Sequence, residues 1–165
     1  MQATLEAIVA QNRALTARGK VATYIPELAM GDANAIGICL IDGAGNIHLA
    51  GDTDIRFTLQ SVSKVFALML ALEDQGFAGV FDRIGMEPTG DAFNSIVKLE
   101  TFASLRPLNP LINAGAIATT ALIKGDSVAE RFQRLYSYIE TIAGSERIGF
   151  NERVYRSEKA TGDRN

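Results

Sequence analysis

The sequence predicts an α+β protein in which helices surround a few antiparallel strands. Three observations lead there. Two short apolar runs, AIGICLI at 35–41 and IHLAGD at 47–52, flank the turn-forming string DGAGN at 42–46. One run, SVSKVFALMLALEDQG at 61–76, is apolar nearly all round until Glu73, as in a buried central helix. Helical periods stand at both ends, over 2–18 and 126–143.

Each element follows in order. Leu5, Ile8, Val9 and Leu15 mark one face of a helix over 2–18. In KVATYIPELA, Pro26 suits the first turn of a second short helix. The hairpin comes next, and RFTLQ at 56–60 reads as another extended piece. The central helix begins at Ser61 and stops at Gly76, a C-cap candidate. Residues 77–105 hold short helical pieces broken by MEPTG. LRPLNP is a loop, and INAGAIATTALIKG is a small-residue apolar helix that starts near Asn113. DSVAERFQRLYSYIETIA at 126–143 is an amphipathic helix, with Asp126 or Ser127 to cap it. The tail ERIGFNERVYRSEKATGDRN is polar and reads as a loop.

Composition narrows the function classes. The 165 residues match one domain, and 47% hydrophobic content supplies a core. A net charge of -3 argues against a nucleic-acid or anionic-membrane partner. No apolar run approaches the roughly 18–20 residues of a membrane span, and the N-terminus has no signal-peptide core, so a cytoplasmic location is expected. Cys39 is the single cysteine, which leaves no internal disulfide; its apolar surroundings predict a buried strand residue. His48 is the single histidine and reads as a satisfied or exposed strand residue rather than a catalytic base. One histidine and one cysteine make no zinc cluster, and no metal or cofactor is implied.

The segment Ser61-Val62-Ser63-Lys64 carries the chemistry. Residues three apart share a helix face, so the Ser61 hydroxyl and the Lys64 amine can meet. A serine attacks only when a neighbour takes its proton, and a lysine does so only when burial lowers its pKa. The apolar turns of VFALMLAL supply that burial, and a helix N-terminus adds N–H groups for an oxyanion. The bland reading is a capping serine beside a surface lysine. Ser63 is the competing nucleophile, adjacent to the lysine rather than one turn away. In NPLINAGAI, Asn109 and Asn113 can cap a helix or hold a polar substrate, and the small residues around Gly115 allow close approach. SEKATGDRN adds Glu158, Asp163 and Asn165, which suit either a solvated loop or a binding loop.

These segments run in order: Tyr24 to Ala29, Gly51-Asp52, Leu59-Gln60-Ser61-Val62-Ser63-Lys64, Met86 to Gly90 with Phe93-Asn94, Asn109-Pro110 with Ile112 to Ala116, and Ser157-Glu158 with Thr161 to Asn165. The chain from about residue 20 therefore resembles the serine-dependent glutaminases of bacteria and mitochondria. The resemblance implies a fold similar to serine β-lactamases and penicillin-binding proteins, which share the Ser-x-x-Lys device. It implies hydrolysis of the side-chain amide of L-glutamine through an acyl-enzyme. Ser61 would be the nucleophile, with its backbone N–H as half of the oxyanion hole, and Lys64 the proton carrier. Asn113, Glu158 and Asn165 match substrate-binding positions; Glu158 suits the α-ammonium and the asparagines the α-carboxylate and nearby polar groups. Tyr24 and Gln60 match pocket-lining positions. Relatives form homodimers or homotetramers. The family continues beyond the position of Asn165, so residues 1–165 would be the N-terminal part of a single catalytic domain, with its C-terminal part absent and little activity alone.

Three other readings stay open. A β-lactamase or penicillin-binding-like hydrolase shares Ser-x-x-Lys, but no Ser-Asp-Asn or Lys-Thr-Gly triplet occurs; Lys159-Ala160-Thr161-Gly162 is the nearest string. A non-catalytic amino-acid-binding domain would need Asn113 and Glu158 but not Ser61. An interaction module would need none of them.

Overall fold

A turn built on one carboxylate starts the β-hairpin. In the computed structural model, which describes residues 1–90, 106–145 and 147–162, Asp42 Oδ1 accepts from the Ala44 and Asn46 amides, each at 2.9 Å. Asn46 Nδ2 donates to Asp42 Oδ2 at 2.9 Å, and His48 Nε2 lies 3.1 Å from the same oxygen. The Asn46 amide, then His48, hold the Asp42 carboxyl down at about 2. β1 (Gly37–Ile41) and β2 (Ile47–Gly51) pair antiparallel, with Cys39 opposite Leu49 and Leu40 opposite His48. His48 is a satisfied strand residue, as expected.

Strand periodicity decides which side of the hairpin is covered. Ile36, Ile38 and Leu40 pack with Ala50 against Leu5 and Val9 of α1 (Gln2–Asn12). Cys39, Ile41, Ile47 and Leu49 fall on the other face and are exposed. Cys39 is therefore not the buried residue that its apolar neighbours suggested. The run is apolar at every position, so sequence alone hid which alternate set meets the helix.

The predicted first helix is shorter than 2–18. After α1 the chain tightens into a 3-10 segment, Arg13–Arg18. Arg13 is drawn to the hairpin end, where Nη1 donates to Asp52 Oδ2 at 2.9 Å. That carboxylate also accepts from the Ile36 amide at 3.0 Å. Pro26 does begin a short helical segment, Pro26–Met30. RFTLQ joins no strand among the described residues.

The polar tail is a helix rather than a loop. α5 (Glu152–Gly162) starts where Asn151 Oδ1 accepts from the Val154 amide at 3.1 Å. Glu152 and Arg156 pair one turn apart at 2.6 Å. Val154 is buried, but apolar residues are few and the segment is polar overall, as a loop would be. The helix instead docks through polar groups on the Pro26–Met30 segment. The Glu27 amide donates to Ser157 Oγ at 3.2 Å, and Arg153 pairs with the Glu27 carboxylate at 2.8 Å. These elements form one compact unit, Met1–Thr58 with Phe150–Asn165.

The second unit, Leu59–Gly149, is built on α2 (Ser63–Phe81). Ala67, Leu70 and Ala71 form its buried face with Val80, Ile84 and Ile123. Burying a leucine such as Leu70 contributes about 1.5–3 kcal/mol. Ala118 and Leu122 cover this face from α3 (Asn113–Ala121) and its end, and Leu135 and Tyr138 from α4 (Val128–Ala143). The helix is not buried all round as expected: Val65 and Met69 remain exposed. Its apolar surface is wider than what the described elements cover. The predicted break at Gly76 is present, with φ 71 and ψ 172, but helical turns resume beyond it to Phe81.

Of the two capping candidates for α4, Ser127 does the work, its Oγ accepting from the Glu130 amide at 3.1 Å. The helix ends on Gly144 in the left-handed region. A carboxylate locks α4 to α2. Arg134 Nη1 and Nη2 donate to the two Asp74 oxygens at 2.6 and 2.8 Å, and the Lys124 amide adds 2.8 Å. The Arg134 hydrogen bond, opposed by burial, lowers the Asp74 pKa. Stability from this pair is thus complete above the unfolded carboxylate value and fades as pH falls through the lower folded one. Arg134→Gln should lower the thermal midpoint at pH 7. The gap from the parent should narrow as pH drops below about 4, as scanning calorimetry across pH would show.

Candidate active site

Ser61 lies in a short 3-10 turn, Gln60–Val62, that leads directly into α2. The helix was expected to begin at Ser61 and begins two residues later, at Ser63. Val62 (φ -61, ψ -29) and Ser63 (φ -57, ψ -24) are right-handed helical. The chain therefore carries Ser61 and Lys64 on the same face, three residues apart. Ser61 is exposed.

The turn is strained at its first residue. Gln60 has φ 46, in the left-handed region that a side chain enters at about 1–3 kcal/mol. Ser63 holds the turn closed, its Oγ donating to the Gln60 carbonyl at 2.7 Å. The Val62 amide closes it from the other side on the Leu59 carbonyl at 3.0 Å. The competing nucleophile is thus committed to the backbone, while Ser61 stands at the strained corner.

Lys64 extends to the start of α3. Its Nζ donates to Asn113 Oδ1 at 2.7 Å and to the Leu111 carbonyl at 3.0 Å. Partial burial lowers its pKa from the ordinary lysine value, the direction expected from the sequence. The depression favours the neutral amine that can take a proton.

Neither asparagine of NPLINAGAI caps α3 with its side chain. Asn113 Oδ1 is used by Lys64. Asn109 Oδ1 accepts from the Leu111 and Ile112 amides at 2.9 and 3.2 Å, and its Nδ2 donates to the Glu87 carbonyl at 2.9 Å. Two backbone bonds hold the partner segments together: the Gly85 amide to the Pro107 carbonyl at 2.8 Å and the Glu87 amide to the Leu108 carbonyl at 3.0 Å. Gly115 is buried against this loop, where an added Cβ would collide with the Asn109 carbonyl. Close approach was the expectation for these small residues; the object approached is the loop backbone.

One unit therefore brings together Gln60, Ser61, Lys64 and Asn113. Tyr24 and Glu158 belong to the other. Tyr24 is exposed just before Pro26–Met30, and Glu158 lies on α5, which is bonded to that same segment. Asn165, with Asp163, Phe93 and Asn94, lies outside the described residues. The roles of Leu111 and Glu87 were missed, because both act through backbone carbonyls that no side-chain pattern reports. Among the described residues no group of three or more His, Cys, Asp or Glu could hold a metal, and no helix is long and apolar enough to cross a membrane.

The family model for glutaminase matches residues 19–165. The chain belongs to the glutaminase family. A glutaminase from Alkaliphilus oremlandii is 50% identical over 165 residues, covering 100% of this chain and 54% of its own. Glutaminase chains also share the fold. A solved structure of Mglu in its glutamate form superposes with a TM-score of 0.89 at 41% identity, over 100% of this chain and 38% of that one. The Bacillus subtilis glutaminase YbgJ, solved as a covalent complex with 5-oxo-L-norleucine formed by reaction with 6-diazo-5-oxo-L-norleucine, gives 0.82 at 34% identity, over 99% and 49%. The α+β architecture, serine β-lactamase-like in these glutaminases, is the one expected from the sequence. The chain spans about half the length of the curated relatives it matches.

Gly115→Ala should destabilise this glutaminase-family chain by about 1–3 kcal/mol or more, since backbone lies where the methyl would go. Denaturant unfolding measures it. An unchanged midpoint would mean that the loop and α3 are not in contact in solution.

Proposed function

We propose that the protein hydrolyses L-glutamine to L-glutamate and ammonia through a serine acyl-enzyme, and that residues 1–165 form the N-terminal part of its single catalytic domain. The observation that carries this reading is the Lys64 amine held by Asn113 and Leu111 one helical turn from Ser61. Family membership supports the substrate, and the covalent adduct of the Bacillus subtilis relative supports a nucleophilic route.

In this reading Ser61 Oγ attacks the side-chain amide carbon while its proton passes to the Lys64 amine. The oxyanion forms beside the Ser61 backbone N–H. The C–N bond breaks, the proton on Lys64 goes to the departing nitrogen, and ammonia leaves. Water then adds to the ester, giving one proton to Lys64, which passes it to Ser61 Oγ as the ester C–O bond breaks and glutamate leaves. Asn113, Glu158, Asn165, Tyr24 and Gln60 are proposed as substrate-binding residues on their motif match. Glu158 suits the α-ammonium, and the two asparagines suit the α-carboxylate. A cytoplasmic location and a homodimer or homotetramer complete the proposal.

Ammonia release from L-glutamine by the full encoded chain tests it. Ser61→Ala should lower kcat by about 1,000-fold or more. Turnover of a chromogenic β-lactam without ammonia release would instead mark a penicillin-recognising hydrolase. Glutamine binding without ammonia release, with Ser61→Ala indistinguishable from the parent, would mark a binding domain. The domain proposal predicts that residues 1–165 alone release far less ammonia than the full encoded chain; equal rates would overturn it.

The pH profile gives an independent check. Only neutral Lys64 takes a proton, so kcat/KM should rise with pH to a plateau, with its midpoint below the ordinary lysine value. Lys64→Arg stays charged at every usable pH and should be inactive throughout. A parent profile flat from pH 5 to 10 would remove Lys64 as the base.

A further inference from the structure

We infer that Asn109 is a positioning residue for Lys64, shaping the loop that offers the lysine amine both of its described acceptors. This inference rests on Lys64 being the proton carrier of the proposed reaction. The loop from Asn109 to Asn113 is five residues long and carries both acceptors, the Leu111 carbonyl and Asn113 Oδ1. A single side-chain oxygen folds it, because Asn109 Oδ1 takes the amides two and three residues ahead. Such a turn rotates the following peptide units as a block. The Leu111–Ile112 peptide is doubly engaged, its N–H on Asn109 and its C=O on Lys64.

Asn109 is itself fastened on independent sides. Its Nδ2 is fixed by the Glu87 carbonyl. Its backbone carbonyl is pressed by α3 at Gly115. Its neighbour Leu108 accepts from the Glu87 amide. Position therefore passes from the Gly85–Glu87 segment through Asn109 to the acceptors of Lys64. Losing the turn releases the Leu111 carbonyl and lets the amine rotate, and misplacement by about 1 Å costs roughly 100-fold in rate.

Three substitutions in the full encoded chain test the idea by ammonia release. Asn109→Asp keeps an acceptor of the same length for the turn, loses the donor to Glu87 and adds a negative charge. Asn109→Ala loses both groups. Asn109→Gln keeps both but adds a methylene, so the turn cannot close as before. The expected result is a kcat reduced about 10–100-fold for Ala and Gln with KM within about 3-fold, and a smaller loss of kcat for Asp. Gln decides the matter should Ala fail to show a cooperative thermal transition. The inference is overturned if Gln keeps kcat within about 2-fold or if the loss lies in KM. Ser61→Ala, run in parallel, separates the two ideas. If Ser61→Ala keeps activity, the acyl-enzyme reading fails; if it loses activity while Asn109→Gln does not, only the positioning role fails.

Discussion

The reach of Lys64 from the first turn of α2 to the start of α3 sets the demands on the rest of its unit. An amine with described acceptors at 2.7 and 3.0 Å keeps this geometry only if both of them stay put. One acceptor is a backbone carbonyl in a loop and the other is a side chain at a helix start. Neither position is rigid by its own propensity. The loop is closed by the Asn109 amide, and α3 is packed tightly on that loop through the absent side chain of Gly115. Burial in this packing lowers the pKa of the lysine.

The strained turn beside it follows the same logic. Gln60 occupies a backbone region that costs about 1–3 kcal/mol. Such a residue persists when its surroundings over-determine it. Here the Ser63 hydroxyl binds the Gln60 carbonyl and the Val62 amide binds the Leu59 carbonyl. The strain sets a sharp passage into α2, with Ser61 exposed at the corner and a lysine one turn later. Ser63, the alternative nucleophile on paper, is part of the support.

Packing behind α2 keeps the platform stiff. Ala67 and Ala71 lie one turn apart and are nearly fully buried, so α2 can meet its neighbours closely. The Asp74–Arg134 pair holds α4 to α2 and also anchors the Lys124 peptide, with which α3 hands over to α4. In the other unit the division of labour differs. The hairpin and α1 share an aliphatic core around Leu5 and Val9. α5 is held to the Pro26–Met30 segment by a hydroxyl and an ion pair.

Local sequence determined the parts whose signal is local. The Asp42 turn, the flanking strands, the cap at Ser127 and the break at Gly76 each depend on residues within a few positions, and each was legible. The Ser-x-x-Lys pair was legible for the same reason, since helical spacing alone puts Ser61 and Lys64 on one face. Tertiary structure decided the rest. The exposure of Cys39 depends on which alternate face meets α1, and every position of that run is apolar. α5 was missed because its residues are polar overall and part of its docking uses polar partners far away in sequence. The cradle of Lys64 was invisible because it joins residues 47 and 49 positions apart, one of them through a backbone carbonyl. Every residue type carries that carbonyl, so only the folded chain can say which one the lysine finds.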